Sequence, residues 1–122
     1  MYFSSDCPDT DLFTYLMDVY PDGRSILVSG GRLRARYRNG LSRQEHLTLG
    51  ETYRISVEMD STCVNIKPGH RLRLALTSSE FPRYARNQNT GNAVASDTGS
   101  AIASNTVHHG GKKCSALVLP TG

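Results

Sequence analysis

Tryptophan is absent from these 122 residues, and cysteine occurs only three times. Without tryptophan, a core has to be assembled from Leu, Val, Ile, Tyr and Phe. Cys7, Cys63 and Cys114 are odd in number and widely spaced, with no C-x-x-C pair. That excludes a cysteine-built zinc cage or a thioredoxin-like redox motif and leaves reduced, mostly buried thiols as the expectation. No apolar run approaches the roughly 20 residues that a membrane helix needs, so no membrane partner is expected. Met1-Tyr2-Phe3-Ser4-Ser5-Asp6 has neither the charged nor the apolar region of a signal peptide. Together with the thiols, this points to a soluble, cytoplasmic protein. The excess of 14 Lys and Arg over 11 Asp and Glu gives a net charge of +3, too small to imply nucleic acid by itself. Catalytic signatures are missing as well: no Gly-x-Ser-x-Gly elbow, phosphate loop, Gly-x-Gly-x-x-Gly or His-Glu-x-x-His occurs. Nothing in the sequence sets a serine against a histidine. Neither a complete active site nor a cofactor is expected.

What is present is period-two alternation. Tyr53, Ile55, Val57 and Met59 share one face of an extended segment, with Arg54, Ser56, Glu58 and Asp60 on the other. Leu72, Leu74 and Leu76 alternate with Arg71, Arg73 and Ala75, which reads as a strand Arg71–Thr77 with a buried leucine face. Leu33, Ala35 and Tyr37 alternate with Arg32, Arg34, Arg36 and Arg38, which reads as a strand carrying an arginine ladder. Tyr20-Pro21-Asp22-Gly23 has the chemistry of a turn after a strand Leu12–Val19. Ser29-Gly30-Gly31 separates Ile26–Val28 from the arginine-rich strand, Lys67-Pro68-Gly69-His70 precedes the leucine strand, and Ser115–Leu119 reads as a last strand. One domain of about this length fits the size of the chain. Many short strands with turn signals between them, and no convincing helix, predict an all-β fold, an antiparallel β-sandwich or jelly roll. Residues 85–106 carry few structure signals and are expected to form a mobile or docking loop.

Three motifs have both a chemical and a bland reading. Asp97-Thr98-Gly99-Ser100 matches the core of aspartic proteases, but that chemistry needs two carboxylates sharing a proton on a rigid support. Here the match lies inside a polar loop, so chance is the better account. His108-His109 lacks a carboxylate or cysteine at ligand spacing, and neighbours on a strand point to opposite faces; no metal site is expected. His70 reads as a satisfied structural residue and His46 as exposed. The arginine ladder could track phosphates, or form a cross-strand charge surface or docking face with Glu45, Glu51, Glu58 and Asp60 nearby.

Ordered blocks run the length of the chain. Ser4-Ser5-Asp6-Cys7-Pro8-Asp9-Thr10-Asp11 comes first, then Asp18-Val19-Tyr20-Pro21-Asp22-Gly23-Arg24, then Gly31 to Arg38. Pro68 to Gly91 follows, Pro-Gly-His-Arg-Leu-Arg-Leu-Ala-Leu-Thr-Ser-Ser-Glu-Phe-Pro-Arg-Tyr-Ala-Arg-Asn-Gln-Asn-Thr-Gly, and Ser115-Ala116-Leu117-Val118-Leu119-Pro120 closes the series. In this order the blocks resemble the C-terminal non-catalytic domain of the serine hydrolases typified by cocaine esterase, X-prolyl dipeptidyl-peptidase and α-amino-acid ester hydrolase. The resemblance implies a jelly-roll β-sandwich of the galactose-binding-like type. It also implies an accessory role beside an α/β-hydrolase domain that carries the Ser, Asp and His, so no triad residue maps onto this chain.

The chain is therefore expected to be one β-sandwich domain over residues 1–122, without the hydrolase domain and without the first part of the family domain. A strand edge left unpaired in this way invites a second chain, so a homo-oligomer is expected, or docking to a hydrolase catalytic domain. The candidate contact surface is Arg32, Arg34, Arg36 and Arg38 together with Arg83, Tyr84, Arg86, Asn87 and Asn89. A carbohydrate- or small-ligand-binding sandwich is the alternative, and a hydrolase assembled across an oligomer interface is a third reading.

Overall fold

Six strands follow one another in the computed structural model, which describes residues 1–120: β1 (Tyr2–Ser5), β2 (Asp11–Val19), β3 (Ser25–Arg34), β4 (Tyr53–Arg54), β5 (Arg71–Thr77) and β6 (Asn105–His108). A single 3-10 turn, Ala35–Tyr37, interrupts them, and no α-helix occurs among the described residues. The strands form two antiparallel three-stranded sheets, ordered β4-β1-β6 and β3-β2-β5. The chain is all-β, with the pair of antiparallel sheets that a β-sandwich is built from. By its contacts it divides into two compact units, each containing one sheet.

The first unit comprises Met1–Thr10, Ala35–Ser56 and the chain from Asn87 onward. β1 is its central strand, pairing Tyr2 with Arg54 on one side and Tyr2 to Ser5 with His108 to Asn105 on the other. Phe3, Cys7, Ala35, Leu47 and Ile55 are buried in it. The alternation of residues 53–60 survives in burial, since Ile55 is buried while Arg54 and Ser56 are exposed. It does not survive as one long strand: β4 stops at Arg54.

The second unit, Asp11–Arg34 and Val57–Arg86, is organised by β2. Leu12, Phe13, Leu16 and Val19 are buried there, on both faces of the strand. A tight turn reverses the chain after β2. The Tyr20 amide donates to the Arg24 carbonyl at 2.8 Å, and Gly23, at φ 91°, takes the left-handed conformation that the turn requires. β3 then runs unbroken to Arg34, so Ser29-Gly30-Gly31 lies within a strand and does not separate two. A bulge accommodates it: Leu16 pairs with Ser29 but Met17 with Leu27, leaving Val28 as the extra residue.

Glycine at position 31 has a packing reason. A Cβ there would lie 2.3 Å from the Glu58 carbonyl oxygen and 3.0 Å from Thr14 Oγ1. Without one, the 57–60 segment closes against β3, with a bridge from Gly31 to Met59 and the Asp60 amide donating to the Gly30 carbonyl at 2.8 Å.

Other expectations are corrected. Ser115–Leu119 forms no strand. Residues 85–106 are tied down by specific hydrogen bonds, described below. Cys7 is buried, but Cys63 and Cys114 are exposed. Among the described residues, no helix is long and apolar enough to cross a membrane.

Candidate functional site

The expected arginine ladder comes apart at Ala35. β3 ends at Arg34, and the chain turns because Asp9 captures Arg36 twice. Asp9 Oδ1 accepts from the Arg36 amide at 2.8 Å, and Oδ2 accepts from Arg36 Nε at 2.7 Å. The Asp9 and Arg36 side chains are 0% and 5% exposed. The remaining Arg36 donors reach Gln44 Oε1 at 3.2 Å and the Asn92 carbonyl at 2.8 Å. A buried charge with its donors satisfied in this way is a fastening, not a contact surface.

Arg38 is likewise committed. Its guanidinium lies 4.5 Å from the Tyr53 ring centroid and donates to the carbonyls of Ala35 and Glu45. Asn87 is buried and donates to Asp9 Oδ2 at 2.8 Å. Arg36, Arg38 and Asn87 therefore leave the candidate surface. The phosphate-tracking reading loses its four-arginine face with them. Arg34 is half-buried and bidentate on Asp11, at 2.7 and 2.8 Å.

The rest of the polar loop is built on the same fastening. Asn89 takes φ 64°, a left-handed conformation that Asn tolerates, and its side-chain amide donates to the Ala101 carbonyl at 2.8 Å. The Ala101 amide returns a bond to the Gln88 carbonyl at 2.8 Å. Asp97 accepts from the Thr90 hydroxyl, from the Gly99 amide at 2.9 Å and from Asn92. These bonds, the Thr90 hydroxyl first, hold its carboxyl below the usual carboxylate range. A protease dyad requires the opposite, one carboxyl raised by its neighbour. Asp97-Thr98-Gly99-Ser100 is a loop-stabilising turn.

Four candidates remain on the surface of the second unit. Tyr84 packs on Phe13 with centroids 5.5 Å apart, and the guanidiniums of Arg32 and Arg83 lie 5.0 and 5.5 Å from its ring. Arg86 covers the exposed ring of Phe81 at 5.3 Å. Burial, followed by a hydrogen bond to Glu80, pushes the nearby Tyr15 phenol above its ordinary value. Arg32, Arg83, Tyr84 and Arg86 thus form an arginine-aromatic patch of stacked cations.

Sequence reasoning placed no serine against a histidine, yet the fold does: Ser4 Oγ and His108 Nε2 are 2.9 Å apart across β1 and β6. A carboxylate meets a different histidine. Asp18 holds His70 Nδ1 at 2.9 and 3.0 Å, and the His70 ring lies 4.2 Å from that of Tyr20. A hydrolytic triad needs one imidazole to bridge the acid and the nucleophile. Here the two halves sit on separate histidines in separate units.

The feature that sequence reasoning misjudged most is β5. Its leucines were expected to be buried, but Leu72, Leu74 and Leu76 are 43%, 47% and 38% exposed. They lie beside Asp18, Leu16 and Thr14 of β2, so they extend the face to which the buried Leu12 and Leu16 belong. β5 is also the last strand of its sheet, and among the described residues nothing pairs with its outer edge. The alternation correctly indicated which residues share a face. It carried no information about what covers that face.

Comparison with known proteins identifies the family. Residues 1–118 match the family of the X-Pro dipeptidyl-peptidase C-terminal non-catalytic domain, and the chain belongs to that family. It is 38% identical over 122 residues to cocaine esterase of Rhodococcus sp. (strain MB1 Bresler), an alignment covering 98% of this chain and 21% of the esterase. Among solved structures, an α-amino acid ester hydrolase superposes with a TM-score of 0.75 at 27% identity, over 85% of this chain and 19% of that one. An aminopeptidase from a marine sediment archaeon (Thaumarchaeota archaeon) superposes with a TM-score of 0.62 at 31% identity, over 73% of this chain and 16% of that one. The chain spans about a fifth of the length of these relatives.

Proposed function

We propose that this domain works by contact and not by chemistry, as an accessory module that docks or self-associates through β5 of the second unit. The observation that carries this reading is the exposed leucine row on a strand whose outer edge is unpaired. An edge strand presents a row of free N–H and C=O groups, and an apolar row beside them adds side-chain burial to backbone pairing. A hydrolase domain of the kind found in its relatives is the natural partner class. Within the second unit, the arginine-aromatic patch gathers stacked cations around Tyr84, and a preorganised surface serves recognition without reorganisation.

Inactivity of the isolated domain is what this reading expects. Ser4 is hydrogen-bonded to His108, but among the described residues no carboxylate hydrogen-bonds that imidazole. The purified chain should turn over neither a p-nitrophenyl ester nor an X-Pro anilide above the buffer rate. Ser4→Ala should leave any residual rate unchanged. Turnover that survives repurification and is lost in Ser4→Ala would overturn the reading.

A further inference from the structure

We infer that the occupant of the β5 edge is a second copy of β5, paired antiparallel about a two-fold axis at Leu74. This rests on the reading of β5 as the working surface and goes further by fixing the partner and the register. Side chains directly opposite each other in a ladder lie on the same face, so a one-residue slip would set leucines against arginines. Only registers that pair even-numbered positions with even-numbered ones keep Leu72, Leu74 and Leu76 together.

Among those, charge and the continuity of the leucine row together select one. With Leu74 on the axis, Leu72 of each copy lies opposite Leu76 of the other. Arg73 then faces Ala75 and Arg71 faces Thr77, so all seven residues of β5 are paired, three leucines from each copy adjoin, and no like charges oppose. Moving the axis to Arg73 sets Arg73 directly against Arg73, which is destabilising. Moving it to Ala75 sets Leu72 against Ser78 and breaks the leucine row. Arg73 donates to Ser25 Oγ at 2.9 Å, on the side of its own sheet, which keeps its guanidinium off the incoming edge. The arginines thus act as register keys: they penalise the slipped pairing and tolerate the centred one. The product is a continuous six-stranded sheet made from two three-stranded ones.

Cysteine scanning reads the axis directly. In a Cys63→Ser, Cys114→Ser background, which leaves only the buried Cys7, Arg73→Cys, Leu74→Cys and Ala75→Cys are made singly and oxidised under mild conditions. The disulfide-linked dimer is expected to dominate for Leu74→Cys. Light scattering on the unmodified chain should give a dimer, and Leu74→Lys, which sets two lysines on the axis, should weaken it about tenfold or more while circular dichroism stays that of the folded chain. Dominant cross-linking at 73 or 75 overturns the register. A monomer at all concentrations overturns the second copy. If that monomer still binds a separately produced hydrolase domain of a relative, the docking reading stands while this inference fails. If it binds neither, both fail.

Discussion

Asp9 and Arg36 form a buried ion pair, Oδ2 to Nε at 2.7 Å, that fastens three separate segments of the first unit. Asp9 takes in the Arg36 amide and the Asn87 side chain, and Arg36 passes on to Gln44 and the Asn92 carbonyl. Removing one partner strands the other charge out of water. Arg36→Met should therefore cost about 3–5 kcal/mol in urea unfolding. Asp9→Asn should cost a comparable amount, and the double variant less than the sum of the two, because it removes both charges together. Simple additivity would mean that the pair is not coupled as the geometry requires.

Why the sequence made Arg36 look like a ladder residue is instructive. Arginines at 32, 34, 36 and 38 have the period of a strand, and for the first two the structure agrees. What stops the strand is Asp9, 27 residues earlier, and a distant carboxylate leaves no mark on a local period. The same distinction holds elsewhere. β2, its turn at Gly23 and the extent of β5 were legible, because hydrophobic spacing and turn residues act locally. The exposure of Leu72, Leu74 and Leu76, the meeting of Ser4 with His108 and the separate pairing of His70 with Asp18 all depend on which segments come together. Period two specifies faces; only tertiary pairing specifies what lies against them.

Gly31 allows the 57–60 segment to approach β3. Its missing Cβ would lie 2.3 Å from the Glu58 carbonyl, which is backbone and cannot turn aside. Gly31→Ala should lower stability by about 1–3 kcal/mol through overpacking. Gly30→Ala should cost less, since there the nearest atom, the Thr14 carbonyl oxygen, is 3.4 Å away. Paired chemical denaturation of the two variants checks this, and equal losses would contradict the close approach.

Asp97 supplies the pH dependence of the polar loop. Its folded pKa lies below its unfolded one, with the Thr90 hydroxyl as the first cause and the Gly99 amide next. The stability it contributes is therefore present above the unfolded pKa and is lost as pH falls through the lowered folded value. NMR titration should find Asp97 protonating below the ordinary aspartate range, and Thr90→Val should move it upward. An Asp97 that titrates above that range would contradict the hydrogen-bonded turn.

Leu16 and Leu74 are neighbours across the β2–β5 ladder, yet one is 5% exposed and the other 47%. Leu16→Ala should cost about 2–5 kcal/mol, the usual loss for a buried leucine that leaves a cavity. In dilute solution Leu74→Ala should cost less than about 1 kcal/mol, because water already reaches half of the side chain. The contrast becomes sharper with concentration. Self-pairing through β5 stabilises the folded chain by mass action, so the cost of Leu74→Ala should grow as protein concentration rises, while that of Leu16→Ala stays constant. Melting curves at a series of concentrations measure both. A Leu74→Ala cost as large as that of Leu16→Ala in dilute solution would mean that the leucine row of β5 is covered within a single chain, and the contact surface would have to be sought elsewhere.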